Sequence, residues 1–146
     1  MISPRSLLLF MRQQLYAVQA SVSANGAPQA ALVGVVTSDQ FEVFFDTLGT
    51  SRKATNLRRV PALALVFGST TADCVRTIQY EGTADEPTGS ELERLLELYF
   101  AAFPDGRARR TLPDITYVRV RPTWIRYSDF STEPAEILEF RREDLA

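Results

Sequence analysis

The segment from Phe41 to Phe67 constrains the fold more than any other part of the chain. It reads as an apolar strand (Phe41 to Phe45), a small polar loop (Asp46-Thr47-Leu48-Gly49-Thr50-Ser51), a helix from about Arg52 to Arg59 and, after Pro61, the apolar run Ala62-Leu63-Ala64-Leu65-Val66-Phe67. An unbroken apolar run of that length fits a strand buried on both faces. Gly49 gives the loop backbone freedom, and any of the hydroxyls of Thr47, Thr50 and Ser51 can cap the helix. That helix opens with two cations, Arg52 and Lys53, at the end that holds roughly +0.5 of an elementary charge and ordinarily favours Asp or Glu. Two readings stand on spacing alone. Either an anion from outside the chain, a phosphate above all, sits on these cations and the free N–H groups of the first turn, or both side chains swing into solvent or onto distant carboxylates. The loop has neither a G-x-x-x-x-G-K-[ST] phosphate loop nor a G-x-G-x-x-G fingerprint.

The remaining elements are short. Ser3 as cap and Pro4 at the first helical position start a helix through Leu7, Leu8, Phe10 and Met11 to about Gln13, expected to close the end of a barrel. From Leu15 the residues alternate, with Tyr16, Val18, Ala20 and Val22 on one face; Asn25-Gly26 is a turn, and Pro28 to Val36 is the returning strand. The small residues of Ala30-Ala31-Leu32-Val33-Gly34 allow close approach to the backbone. Cys74 to Ala84 forms a strand with one largely polar face, after a polar loop from Gly68 to Asp73. Thr88 and Glu91 have capping-box spacing, and Leu92, Leu95, Leu96, Tyr99 and Phe103 recur at helical spacing, as core packing or as the face of a partner helix. The basic loop Arg107, Arg109, Arg110 is either solvated surface or a cover for an anionic ligand. Ile115 to Arg121 and Thr123 to Tyr127 are strands broken at Pro122, and Glu136 to Phe140 is a short edge strand. Several strands with few helices favour an antiparallel barrel with helices at its ends.

Composition narrows the chemistry. The 146 residues suffice for one domain, 1–146. There is no histidine and one cysteine, Cys74, so Ser-His-Asp and Cys-His sites, His-based zinc or haem ligation and intramolecular disulfides are excluded within this sequence. Cys74 is expected as a small buried or half-buried filler. A net charge of −2 gives no basic surface for nucleic acid or an anionic membrane. The apolar run Leu7 to Met11 is closed by Arg12, well short of the roughly 7–15 residues of a secretory core or the roughly 20 of a membrane span. A cytoplasmic location is expected on that ground.

The run Val43 to Ala54, with its Thr-containing loop and Ser51-Arg52-Lys53, followed by a helix and Pro61 before a buried strand, resembles the FMN phosphate segment of the pyridoxamine 5′-phosphate oxidase family. The resemblance continues from the hairpin at residues 15–37 to Arg119 through Tyr127. It implies a mainly β chain, an antiparallel split β-barrel with a few flanking helices, working as a homodimer with FMN at the subunit interface. On that resemblance Arg52, Lys53, Ser51, Thr50 and Thr47 bind the phosphate; Phe45, Ala31, Leu32 and Val33 lie along the cofactor; Thr77 and Gln79 approach its edge; and Trp124 walls it, with Arg126 and Tyr127 beside it. The resemblance also implies an FMN-dependent oxidoreductase, with a nicotinamide nucleotide as a candidate reductant. A flavin carrier or sensor without turnover is one alternative, and a user of the deazaflavin F420, with Arg107, Arg109 and Arg110 as its basic groove, is another. The family's oxidases proper grip the vitamin phosphate with an Arg-x-His motif near the C-terminus, whereas Asp129 to Pro134 here holds neither residue, so vitamin B6 oxidase activity is not expected. Asp46 runs against the scheme, because a carboxylate beside a phosphate repels it.

Overall fold

The computed structural model describes residues 1–68, 71–73 and 75–146; Cys74 lies outside the described residues. Helix α1 (Pro4–Arg12) starts as the sequence predicts, with the Ser3 hydroxyl accepting from the Ser6 N–H at 3.1 Å. It buries Leu7, Phe10 and Met11 in the barrel core. Strands β1 (Tyr16–Val22), β2 (Pro28–Gly34), β3 (Val36–Thr37) and β4 (Val43–Leu48) lead to helix α2 (Arg52–Arg59) and strands β5 (Ala62–Gly68) and β6 (Arg76–Asp85). Helices α3 (Gly89–Ala102) and α4 (Gly106–Arg109), then strands β7 (Ile115–Asp129) and β8 (Glu136–Arg141), complete the fold before a last 3-10 turn, Arg142–Leu145.

Among the described residues all strand pairs are antiparallel, in the order β2-β1-β5-β6-β7-β4-β3, with β8 also beside β7. Strand β7 explains how the barrel splits. One of its edges pairs with β6 from Arg119 to Asp129, while the other pairs with β4 over Ile115 to Val120 and with β8 over Trp124 to Asp129. Pro122 falls where that second edge changes partner, and the β6–β7 register shifts there, between Glu81 and Gly82. A missing N–H costs little at a bulge. The strand therefore runs through Pro122 and is not broken by it, contrary to the sequence expectation.

Other boundaries move for similar reasons. The return strand ends at Gly34, because Val36 and Thr37 leave β1 and pair with β4. Phe41, expected within a strand, takes φ +60° in the turn before β4, and its carbonyl accepts from the Tyr80 hydroxyl at 2.7 Å. The capping box at Thr88 and Glu91 does not form. Thr88 is the cap residue of α3 but makes no side-chain bond, and the Glu91 carboxylate is drawn to Arg94 at 2.8 Å and Arg119 at 3.7 Å.

Two cores flank β4. Val43 and Phe45 face the barrel interior, and Phe44 faces α3. There Phe44 stacks on Tyr117 (centroids 5.7 Å apart, planes 8° apart) and meets Tyr99 edge-on at 5.6 Å, the two arrangements that ring quadrupoles favour. The helical stripe Leu95, Leu96 and Tyr99 is thus core packing within this chain.

Strand β5 departs from its expected burial. Leu63, Leu65 and Phe67 face the core, but Val66 on the opposite face is 51% exposed. Its neighbours across the sheet, Val18 and, one strand further, Leu32, are exposed too. The strand is buried on one face and bare on the other. No helix among the described residues is long and apolar enough to cross a membrane.

Candidate functional site: an anion pocket at the start of helix α2

Strand β4 carries Thr47 to the mouth of the loop, and the loop is tied down by Gly49, whose N–H donates to the Asp114 carbonyl at 2.6 Å. A Cβ at Gly49 would lie 2.9 Å from the Thr116 hydroxyl, so the loop can lie this close to the start of β7 only without a side chain. Ser51 is the cap of α2: its hydroxyl accepts from the Ala54 N–H at 3.2 Å and shares a hydrogen bond with Thr47 at 2.9 Å. Lys53 donates to the Thr47 hydroxyl at 3.3 Å. The first turn contains no acid.

The cations at the two ends of α2 are used differently. Arg58, in the last turn where the dipole favours it, makes a two-pronged pair with Glu86 at 2.9 and 3.0 Å. Arg59 donates to the Val22 carbonyl at 2.5 Å. Arg52 and Lys53 form no ion pair among the described residues. Their charges sit uncompensated at the positive end of the helix.

Opposite them stands a wall that the sequence reading missed. A pocket of about 140 Å³ is lined by Gln19, Ser21, Gln29, Ala30, Ala31, Arg52 and Lys53. Gln19 faces Ala31 and Ser21 faces Gln29 across the β1–β2 ladder, so all four share one side of the sheet. Asn56, buried on α2, donates to the Ser21 hydroxyl at 3.1 Å and the Gln29 side-chain oxygen Oε1 at 2.9 Å. The Gln19 side-chain oxygen is buried without a hydrogen-bond partner among the described residues. No carboxylate lines the pocket. The alternation in β1 was visible in the sequence, but alternation does not say which parity points inward. Here the polar parity does, and the apolar set Tyr16, Val18 and Val22 is exposed.

The other residues named from sequence divide into groups. Arg52, Lys53 and Ala31 line the pocket, while Thr47 and Ser51 are hydrogen-bonded to each other beside it, with Lys53 donating to Thr47. Thr50 is exposed at the loop's tip. Phe45 and Val33 have their side chains in the barrel core, and Leu32, 68% exposed, points to the outer face. Gln79 lies in the outer-face row Leu32, Val18, Val66, Gln79, Arg126, and Trp124 in the next row behind Ala20, Ala64 and Glu81. Thr77 borders an apolar hollow of about 440 Å³ on that face, with Tyr16, Val18, Leu32 and Val66. Tyr127, by contrast, is buried in the core. Within one chain, the outer-face group and the anion pocket are on opposite sides of the sheet.

Asp46 and the basic loop answer each other. Strand alternation turns Asp46 away from Thr47, and its carboxylate accepts from Arg109 on α4 at 2.9 Å, with Asp105 on the same guanidinium at 2.8 Å. Burial, then the Asp46 charge, pushes the neighbouring Tyr99 phenol up to about 12. Arg110 pairs with Glu93, and Arg107 lies over the Phe100 ring at 5.1 Å. All three arginines offered by the sequence as an anion cover are engaged within the helical cap.

A curled antiparallel split barrel, with a small polar pocket beside the capped start of α2, sets the fold class of the protein. The family model for pyridoxamine 5′-phosphate oxidase matches residues 5–129, and the chain belongs to that family. The comparison with curated proteins gives no match. Among solved structures it is similar to a heme binding protein from Mycobacterium smegmatis (TM-score 0.84, 15% identity, 99% of this chain and 60% of that one). It is also similar to HutZ, the heme storage protein from Vibrio cholerae (TM-score 0.71, 15% identity, 97% and 95%). A third is a pyridoxamine 5′-phosphate oxidase-related, FMN binding protein from Nostoc punctiforme (TM-score 0.63, 15% identity, 94% and 90%). The chain thus spans 60% of the length of the mycobacterial protein. At such identities the likeness shows the shared fold.

Proposed function

We propose that this protein binds FMN and works as a flavin-dependent oxidoreductase. The observation that carries the reading is the acid-free pocket in which Arg52 and Lys53 stand unpaired at the start of α2. Its donor set suits a terminal phosphate: two cations in the lining at a helix start, with the Thr47 and Ser51 hydroxyls hydrogen-bonded beside Lys53. Its volume of about 140 Å³ is below the roughly 300 Å³ at which pockets for whole drug-sized ligands begin. A phosphate end would fit the pocket, and a ring system would have to lie outside it. Bound FMN would supply a ring that accepts and returns electrons, and the chain's part is to anchor and orient it and keep water from it.

The ring needs a second wall, and a homodimer supplies one. The outer face bearing Thr77, Gln79 and Trp124 lies beside the bare apolar patch of Val18, Leu32 and Val66, and a second copy seated on that patch would bring such a face to the seam. Heme, which two of the similar proteins bind by name, is disfavoured as the ligand because these 146 residues contain no histidine.

The test is titration with FMN, followed by flavin fluorescence, on the wild type and on Arg52→Ala/Lys53→Ala. Charge-assisted hydrogen bonds contribute about 1.5–3 kcal/mol each, so the double variant is expected to bind at least about 100-fold more weakly. Wild-type protein that takes up heme and no FMN overturns the reading. Reduction of the bound flavin by NADPH or NADH, with reoxidation by an added acceptor at a catalytic rate, separates the oxidoreductase from a flavin carrier.

A further inference from the structure

We propose that Arg58 is a positioning residue for the phosphate site: from the far end of α2 it holds the loop in front of the helix, and so sets where Ser51, Arg52 and Lys53 stand. The inference rests on the phosphate reading above and names what keeps that site in shape. Arg58 uses its guanidinium on several sides at once. Nε and Nη2 donate to the two carboxylate oxygens of Glu86 at 2.9 and 3.0 Å, Nη1 donates to the Gly49 carbonyl at 3.0 Å, and Nη2 also donates to the Thr116 hydroxyl at 3.4 Å. A side chain in a helix leans toward the helix N-terminus, which is how a last-turn arginine reaches back past the Ser51 cap to Gly49. The planar fork suits this task better than a point charge would, since one edge is fixed on Glu86 while another is aimed at the loop.

The surroundings show why the tie matters. From Ile115 to Val118 strand β7 pairs with β4 alone, because the ladder with β6 begins only at Arg119. The end of β4, the loop and the start of β7 therefore stand away from β6 as one unit. Between α2, this unit and β6 lies a hollow of about 310 Å³, whose lining includes Ala54, Leu57, Arg58, Glu86, Thr116 and Val118. Arg58 spans the gap. Gly49 is then held at both of its backbone groups, its N–H on Asp114 and its carbonyl on Arg58. The Arg58 charge is matched by Glu86, whose carboxyl that hydrogen bond holds below the usual carboxylate range. Arg58 thus bears on the phosphate through geometry and not as a further attracting cation.

Removing Glu86 separates geometry from charge, because the two effects have opposite signs. Loss of a carboxylate leaves the chain more positive near an anion site, so charge alone would tighten FMN binding. Loss of the anchor would weaken it. The test is titration with FMN, followed by flavin fluorescence, on the full chain carrying Arg58→Met, Glu86→Ala or both. Each single variant is expected to bind FMN about tenfold more weakly, and the double variant no more weakly than Arg58→Met, since all three break one tie. Melting of the FMN-free protein should hardly move, because the two side chains are 48% and 46% exposed and exposed pairs contribute little to stability. The phosphorus NMR resonance of FMN at saturation is the readout that a merely structural role would leave alone; in the variants it should lie nearer that of free FMN than in wild type. FMN binding that is unchanged or tighter in Glu86→Ala overturns the inference, as do losses that add in the double variant. If a variant melts earlier, the resonance decides: at the wild-type position, the tie only stabilises the fold and the inference fails. Wild type that takes up no FMN overturns the phosphate reading and this inference with it, whereas the other failures leave that reading standing.

Discussion

Asp46 and Thr47 are adjacent in sequence and serve opposite sides of β4. Thr47 is hydrogen-bonded to Ser51 and Lys53 at the start of α2, whereas Asp46, whose side chain is 14% exposed, is held by Arg109. Replacing Arg109 by Ala would leave that carboxylate half-buried without its cation, with only the Tyr99 phenol beside it. A loss of about 1–3 kcal/mol is expected, read as a fall in melting temperature of roughly 2–4 °C per kcal/mol for a chain of this size. FMN affinity should not change, because the pair lies on the far side of the strand from the pocket. An equal fall in FMN affinity would show that Arg109 takes part in binding after all. What was legible at this scale was local: the order Ser51-Arg52-Lys53 marks a capped helix start that carries two cations and no acid. Gln19, Gln29 and Asn56 were not legible, because they meet only when β1, β2 and α2 are brought together, and no spacing within one segment records that.

The elements were legible in type and less so in extent. Turn residues and alternation marked nearly every strand, since those signals are local, but partners decided where each strand ended. Strand β7 shows this most clearly. Proline argues for a break when read alone, yet Pro122 sits at a change of partner, opposite Gly82. A Cβ at Gly82 would stand 2.4 Å from the Arg121 carbonyl oxygen and 2.7 Å from a Val120 methyl carbon. The backbone on one side cannot yield as a flexible side chain would. Gly82→Ala is therefore expected to cost about 1–3 kcal/mol or more, seen as a lower denaturant midpoint with an unchanged slope. A variant as stable as wild type would mean that β6 and β7 can separate at the bulge without cost.

At the scale of the whole molecule, the apolar run from Ala62 to Phe67 was read as buried on both faces, and in the single chain one of those faces is open. Val66 pairs across the ladder with Val18, and Leu32 lies beyond it, all exposed on the side that also carries Gln79. Contiguous apolar surface of this kind marks an interaction site, and the commonest way for a chain to cover its own patch is a two-fold dimer in which the same surface serves both copies. Such an interface places one residue change on the patch twice. Val66→Asp should then set a carboxylate against apolar surface on each side of the seam, a desolvated and unpaired charge that costs far more than the lost methyl groups. Sedimentation equilibrium is expected to find wild type dimeric and Val66→Asp shifted to monomer at the same concentration, and Val18→Asp should behave alike because the two side chains are cross-strand neighbours. Both changes lie on the opposite face of the sheet from Arg52 and Lys53, so they cannot disturb the phosphate pocket by contact. Weaker FMN binding in the monomeric variants, with unfolding midpoints near wild type, would mean that the second copy forms part of the flavin site. Monomers that bind FMN as tightly as the wild-type dimer would remove the partner from the site, and a monomeric wild type would remove the dimer.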